Sequence, residues 1–136
     1  MMLANPAAER TAPISMADRA ENLRRLAHVA ALIADSGHTV LVPAISPLEE
    51  HRELARGIHA ENGLDFLEIF CDTPLEDCER RDPKGLYAKA RAGESTHFTG
   101  IDSPYQRPKN PDLRLVPDRS VDELAQQVVE LIEGRK

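Results

Sequence analysis

Apolar residues recur every three to four positions in two stretches, Leu23, Leu26, Ala27, Ala30, Ile33 and Ala34, then Val121, Leu124, Val128, Leu131 and Ile132. That spacing places each set on one face of an amphipathic helix. Four times a Ser or Thr precedes an acid by three residues: Ser15 and Asp18, Ser46 and Glu49, Thr73 and Glu76, Ser120 and Glu123. The hydroxyl can accept from a helix N–H that lacks a carbonyl partner, and the acid can sit on the positive end of the dipole. Each pair therefore marks a helix start. Pro47 and Pro74 suit the first helical position, where a missing N–H is least costly, and Gly37 suits a left-handed turn closing the first helix.

Between these starts lie runs of strand length, "HTVLVPAI" (38–45), "DFLEIFC" (65–71) and the weaker "DLRLV" (112–116). Their β-branched and aromatic content favours strands. The expected order is α-β-α-β-α-loop-β-α, an α/β fold whose near-continuous apolar strands make a parallel sheet covered on both faces. In such a sheet ligands bind beyond the carboxyl ends of the strands. Here that edge carries "ISP" at 45–47, "CDTP" at 71–74 and whatever follows "RLV" at 114–116.

With 136 residues and one core, the chain has a net charge of −6, which argues against binding a nucleic-acid polymer or a membrane surface. The basic stretch from Arg80 to Arg91 is a local exception, with Arg80, Arg81, Lys84, Lys89 and Arg91 against Asp82, a net +4. It begins one short helix after "CDTP", so it can fold over the same edge as a lid that neutralises a small anion. A solvated loop is the plainer alternative. Two cysteines and five histidines lack the spacing of a zinc site, so no metal is assigned, and the cysteine usage fits a reduced, cytoplasmic protein. The opening 15 residues have neither a basic region nor a continuous apolar core and read as a flexible arm.

The segments "ADRAENLRR", "VLVPAISP", "RDPKGLYAKARAG", "FTGIDSPYQRP" and "NPDLRL" resemble those of adenylylsulfate kinases, which phosphorylate the 3'-hydroxyl of adenosine 5'-phosphosulfate (APS) using ATP. The resemblance implies a three-layer, P-loop-kinase-like domain over 16–136, with 1–15 an unrelated arm. It also implies APS as the ligand, with ATP and magnesium as cosubstrate and cofactor. By position it places Arg19 and Asn22, one turn apart on a helix, against APS. Ile45 and Ser46 line the same pocket, Ser46 standing where the family carries an active-site phosphoserine. Lys84, Gly85 and Leu86 match the lid, Phe98 an aromatic that stacks on adenine, and Arg80 and Arg81 the ATP side of the lid. From the residues alone Ser46 reads first as a helix cap before Pro47, and Arg19 and Asn22 read equally as an exposed face, Phe98 as a loop anchor and Lys84 as a solvated charge.

The departure from the family is large. Its members begin with a strand leading into G-x-x-x-x-G-K-[ST], whose backbone N–H groups cradle phosphates, and a second strand ending in an Asp-Gly-Asp-type segment. None of the four lysines here follows a glycine, so the chain has no such loop. In the family's fold the P-loop strand lies between the strands corresponding to 38–45 and 65–71. Without it those two either pair directly, leave open edges or take a strand from elsewhere. Three functional readings follow: a shortened kinase inactive by itself, a module that binds APS without turnover, or a piece completed by a second copy or another chain.

Overall fold

The computed structural model describes residues 15–94, 98–101 and 103–135. The arm expected over 1–15 lies outside them apart from Ser15. Helix α1, Met16–Asp35, opens with a reciprocal cap in which Ser15 Oγ accepts from the Asp18 amide at 3.1 Å and the Ser15 amide donates to Asp18 Oδ2 at 3.1 Å. Gly37, at φ 89°, closes it, as its position suggested. Helix α2 spans Glu49–Glu61, strand β1 Ile69–Cys71, helix α3 Leu75–Arg81, helix α4 Leu86–Arg91, strand β2 Leu113–Leu115 and helix α5 Val121–Glu133. In α5 the Ser120–Glu123 cap repeats the α1 geometry, with the Ser120 amide 2.9 Å from Glu123 Oε2.

The other two expected caps are corrected. Helix α2 starts three residues beyond Ser46, with Leu48 at its N-cap position and no side chain of its own capping it. Helix α3 has Pro74 at its N-cap, again without a side-chain cap, so neither Pro47 nor Pro74 occupies the first helical position. At α2 the orphan amide of Glu49 is met from far along the chain, by Gln106 Oε1 at 2.7 Å. A distant acceptor there makes a local hydroxyl unnecessary.

Strands β1 and β2 pair in parallel, Ile69 opposite Leu113 and Cys71 opposite Leu115, which gives the expected α/β parallel arrangement. The expected strand over 38–45 is not formed among the described residues. It neither pairs with β1 nor takes another partner, and Leu41, Val42 and Ile45 stand 70%, 45% and 68% exposed. Of the alternatives posed above, the described residues leave the edge open. Backbone groups left at the surface are bonded by water and escape the penalty of buried orphans.

The core is small. Ala27 and Ala31 of α1 pack on Ile58 of α2, with Ala55 and Leu64 at the margin. Alanines let the two helices approach closely, but they bury little area. Leu26 and Ile33, expected in the core, are 37% and 43% exposed, and Val121 of α5 is 81% exposed.

Candidate functional site

Arg19, one turn into α1 and half-buried, donates from NH1 to Thr99 Oγ1 at 3.2 Å. This fastens α1 to a turn closed by the Ser103 amide on the Phe98 carbonyl at 3.1 Å and the Gly100 amide on the Ser103 carbonyl at 2.9 Å. Asn22, a turn further along the same face, is exposed. Phe98 meets Tyr87 of α4 edge-on, with centroids 4.9 Å apart at 69°. Such edge-to-face pairs contribute about 0.5 to 1.5 kcal/mol beyond their burial. The basic segment is thereby set on the same turn that α1 touches.

Local backbone chemistry shapes that segment. Gly85, at φ 65°, turns the chain left-handed into α4, a conformation open to glycine at little cost. Asp82 then accepts from the Tyr87 and Ala88 amides at 3.2 and 3.0 Å. Burial raises its pKa, but the amides of Ala88, Tyr87 and Leu86 outweigh this and hold the carboxyl below its usual value. Arg80 pairs with Asp77 at 2.5 Å and Arg91 with Glu79 at 2.6 Å. Two of the five cations that gave the segment its net +4 thus face acids lying just before it in sequence. Arg81, Lys84 and Lys89 are exposed, as is Leu86.

Ser46 adopts φ 38°, left-handed for a residue that is not glycine. That geometry costs on the order of 1 to 3 kcal/mol, and a following proline disfavours departures from extended backbone further. Its surroundings hold it. Arg52, buried in α2, donates NH1 to the Ser46 carbonyl at 2.8 Å and NH2 to the Gln106 carbonyl at 2.9 Å. The Gln106 amide donates to the Pro47 carbonyl at 2.8 Å. Arg52 Nε lies 2.7 Å from Glu68 Oε1, close enough for a charge pair but poorly aligned, since that oxygen makes no hydrogen bond among the described residues. Ile45 projects beside this loop, 68% exposed.

At the carboxyl end of β1, buried Asp72 accepts from Arg107 NH2 and Arg114 Nε, both at 2.6 Å, while its amide donates to the Leu115 carbonyl at 2.8 Å. Burial raises the Asp72 pKa, and the two guanidiniums outweigh it and lower the value overall. Arg107 also lies over the Phe70 ring, 5.1 Å from its centroid, and Phe70 stacks on Tyr105 at 6.1 Å. The 103–107 segment is thus bolted to the end of β1, between the Phe98 turn and the Ser46 loop. A separate cleft of about 240 Å³, beside Arg52, Arg56, Glu68 and Asp112, includes none of the residues carried over from the resemblance. Its charges already face one another across short distances, Arg56 and Glu68 at 3.1 Å and Arg52 and Glu68 at 2.7 Å.

A family-wide sequence model described as adenylylsulphate kinase matches residues 8–116. The chain belongs to the adenylylsulphate kinase family. It is 81% identical over 120 residues to the bifunctional enzyme CysN/CysC of Mycobacterium tuberculosis, which covers 88% of this chain and 20% of that protein. It is 50% identical over 119 residues to a probable adenylyl-sulfate kinase of Halalkalibacterium halodurans, covering 87% of this chain and 56% of the relative. The chain therefore spans about a fifth of the bifunctional relative and just over half of the single enzyme. The solved structure of the M. tuberculosis APS kinase CysC in complex with AMPPNP and APS superimposes with a TM-score of 0.86 at 81% identity, covering 88% of this chain and 69% of that one.

In this member of the adenylylsulphate kinase family, Arg19 and Phe98 meet on the 98–103 turn, and Gly85 and Leu86 reach it through Tyr87. Ser46 and Ile45 lie on a separate loop, tied through Pro47 and Arg52 to Gln106 of the 103–107 segment. Arg80 faces Asp77 in the described geometry. Thr99, Tyr87 and Gln106, which hold these residues in place, lie inside the segments that carry the resemblance but meet partners distant in sequence, whereas Arg52 lies outside those segments. Among the described residues no group of three or more His, Cys, Asp or Glu could hold a metal ion, and no helix is long and apolar enough to cross a membrane.

Proposed function

We propose that this chain provides the APS-recognising part of a cytoplasmic adenylylsulfate kinase, in which the 3'-hydroxyl of APS accepts the γ-phosphoryl group of ATP in sulfate assimilation. The observation that carries the reading is the convergence of Arg19 and Phe98 on one turn, with the lid helix seated on it through Tyr87. In this reading Arg19 and Asn22 hold APS, Phe98 stacks on its adenine once Tyr87 yields that face, and Ile45 and Ser46 close the opposite wall. Lys84, Gly85 and Leu86 form the lid. The 16–136 region acts as one domain.

The residues present fit APS better than they fit ATP and magnesium. A nucleoside triphosphate needs a nest of backbone N–H groups, a lysine and a metal-holding hydroxyl, and these 136 residues contain no G-x-x-x-x-G-K-[ST] run. Arg80, Arg81 and Lys84 supply charge but no cradle, and loss of even one preorganised donor typically costs about 10²- to 10³-fold in rate. The chain thus binds APS without turnover unless strands from outside these residues, in a second copy or another chain, complete it. Calorimetric titration tests this: APS binds and ATP does not. A coupled assay of the 136-residue chain gives no 3'-phosphoadenylylsulfate, while a version extended by the family's two N-terminal strands does. Turnover by the short chain near that of the extended one would sink the reading.

A further inference from the structure

Arg52 joins three separate stretches of chain through its three kinds of nitrogen: NH1 to the Ser46 carbonyl, NH2 to the Gln106 carbonyl and Nε to the Glu68 carboxylate. The residue is only 8% exposed, so directed partners rather than water must hold its charge. The next carbonyl along, that of Pro47, is fixed by the Gln106 amide. Two successive peptide planes, those following Ser46 and Pro47, are each pinned by a donor, and the left-handed φ of Ser46 lies directly before them. A planar fork suits this task because its donors diverge at fixed angles, whereas a lysine ammonium is a single point of charge on a flexible stem.

We infer that Arg52 is the positioning residue of the Ser46 loop: it holds the Ser46 backbone left-handed and so sets the wall this loop presents to APS. The substrate clause rests on the pocket proposed above, while the clamp rests on the geometry alone.

The test compares the 136-residue chain with its Arg52→Lys, Arg52→Met and Ser46→Gly variants. Backbone chemical shifts of residue 46 report its conformation, amide exchange at Gln106 reports the brace, and titration with APS reports the wall. In Arg52→Met the Ser46 shifts leave the left-handed range. Gln106 exchange and the APS dissociation constant each rise by about tenfold or more, as expected for losing a hydrogen bond to a charged donor. Arg52→Lys falls between, and adding Ser46→Gly to Arg52→Met restores left-handed shifts, because glycine needs no clamp. Left-handed shifts that persist in Arg52→Met overturn the inference, and so does a displaced Ser46 with unchanged APS affinity. If the unsubstituted chain does not bind APS, the pocket reading falls while the shifts still decide the clamp. Should Arg52→Met fail to fold, Arg52→Lys decides: Ser46 shifts moved toward the extended range support the clamp, and Ser46 shifts that stay fully left-handed refute it.

Discussion

Replacing Glu68 by Gln removes one charge while keeping the side chain's shape, and the structure fixes what that leaves behind. The Glu68 and Arg52 side chains are 12% and 9% exposed and 2.7 Å apart. Taking one partner from a buried pair costs about 3 to 5 kcal/mol, because the other charge stays buried without compensation. The poor alignment at Glu68 Oε1 and the two carbonyls that still receive Arg52 move the expectation to the lower end, about 3 kcal/mol. Arg56, 34% exposed and also 3.5 Å from Glu53, adds little to the loss. For a domain of marginal stability, about 5 to 15 kcal/mol in total, this is a large fraction. With a urea slope of about 2 kcal/mol per molar, the unfolding midpoint followed by circular dichroism falls by about 1.5 M. The control is Lys109→Ala, whose pair with Glu49 is 74% and 43% exposed and whose loss costs about 0 to 1 kcal/mol. A Glu68→Gln midpoint within about 0.5 M of that control would show that the pair carries no buried-charge penalty.

Arg19→Ala weakens APS binding by about tenfold or more by removing a charged donor, with the helix content unchanged by circular dichroism; unaltered affinity removes Arg19 from the site. Asn22→Ala, on an exposed position, does the same without moving the urea midpoint, and calorimetry again decides. Asp82 is held below its ordinary value of 3.8 in the folded chain, so its support for α4 is present above that pH and lost as pH falls through the lower folded value. Protection of the Tyr87 and Ala88 amides, taken relative to their intrinsic exchange rate at each pH, accordingly falls on acidification, and Asp82→Asn gives weak protection at every pH; an acid limb retained in Asp82→Asn assigns the change elsewhere. Gly85→Ala, at φ 65° with open space around it, is strained by its backbone alone and loosens α4, seen as faster proteolysis between Asp82 and Gly93.

What could be read from the sequence divides by the distance between cause and effect. The Ser15 and Ser120 caps were legible because donor and acceptor lie three residues apart, and a parallel sheet was legible from apolar runs alternating with helices, although not that 69–71 would pair with 113–115. Ser46 looked like a third cap by the same rule. The rule could not anticipate that Gln106, 57 residues from Glu49, would meet the helix amide instead, leaving Ser46 to turn left-handed under Arg52. The basic run looked like bare charge because Asp77 and Glu79 lie three residues and one residue before the window that was counted. Of the site, the residues proposed to touch APS were legible through the family's motifs, and so were the positions of Tyr87, Thr99 and Gln106 but not their holding role, while Arg52 was not legible at all. Arg52 sits in "EEHREL" as one charge among several, and nothing local distinguishes it from its exposed neighbours.

The segment 38–45 shows the same limit from the other side. Its composition is that of a strand, yet strand is a property of a pair, and the ladder it would join has no member beside it among the described residues. The consequence extends past one element. Fully burying a Leu, Val or Ile side chain stabilises a fold by about 1.5 to 3 kcal/mol relative to leaving it in water, and Leu41, Val42 and Ile45 realise only part of that. Leu32 of α1 and Val121 of α5, 73% and 81% exposed, are in the same position. An extended chain laid along the free edge of β1 would give 38–45 its ladder and cover its apolar face in one step, because parallel strands stack their side chains in register. The Ser46 loop hangs from the end of that segment. Whatever orders 38–45 therefore also restrains Ser46 from its N-terminal side, while Arg52 holds it from beyond Pro47, so completing the sheet and shaping the proposed APS wall are coupled.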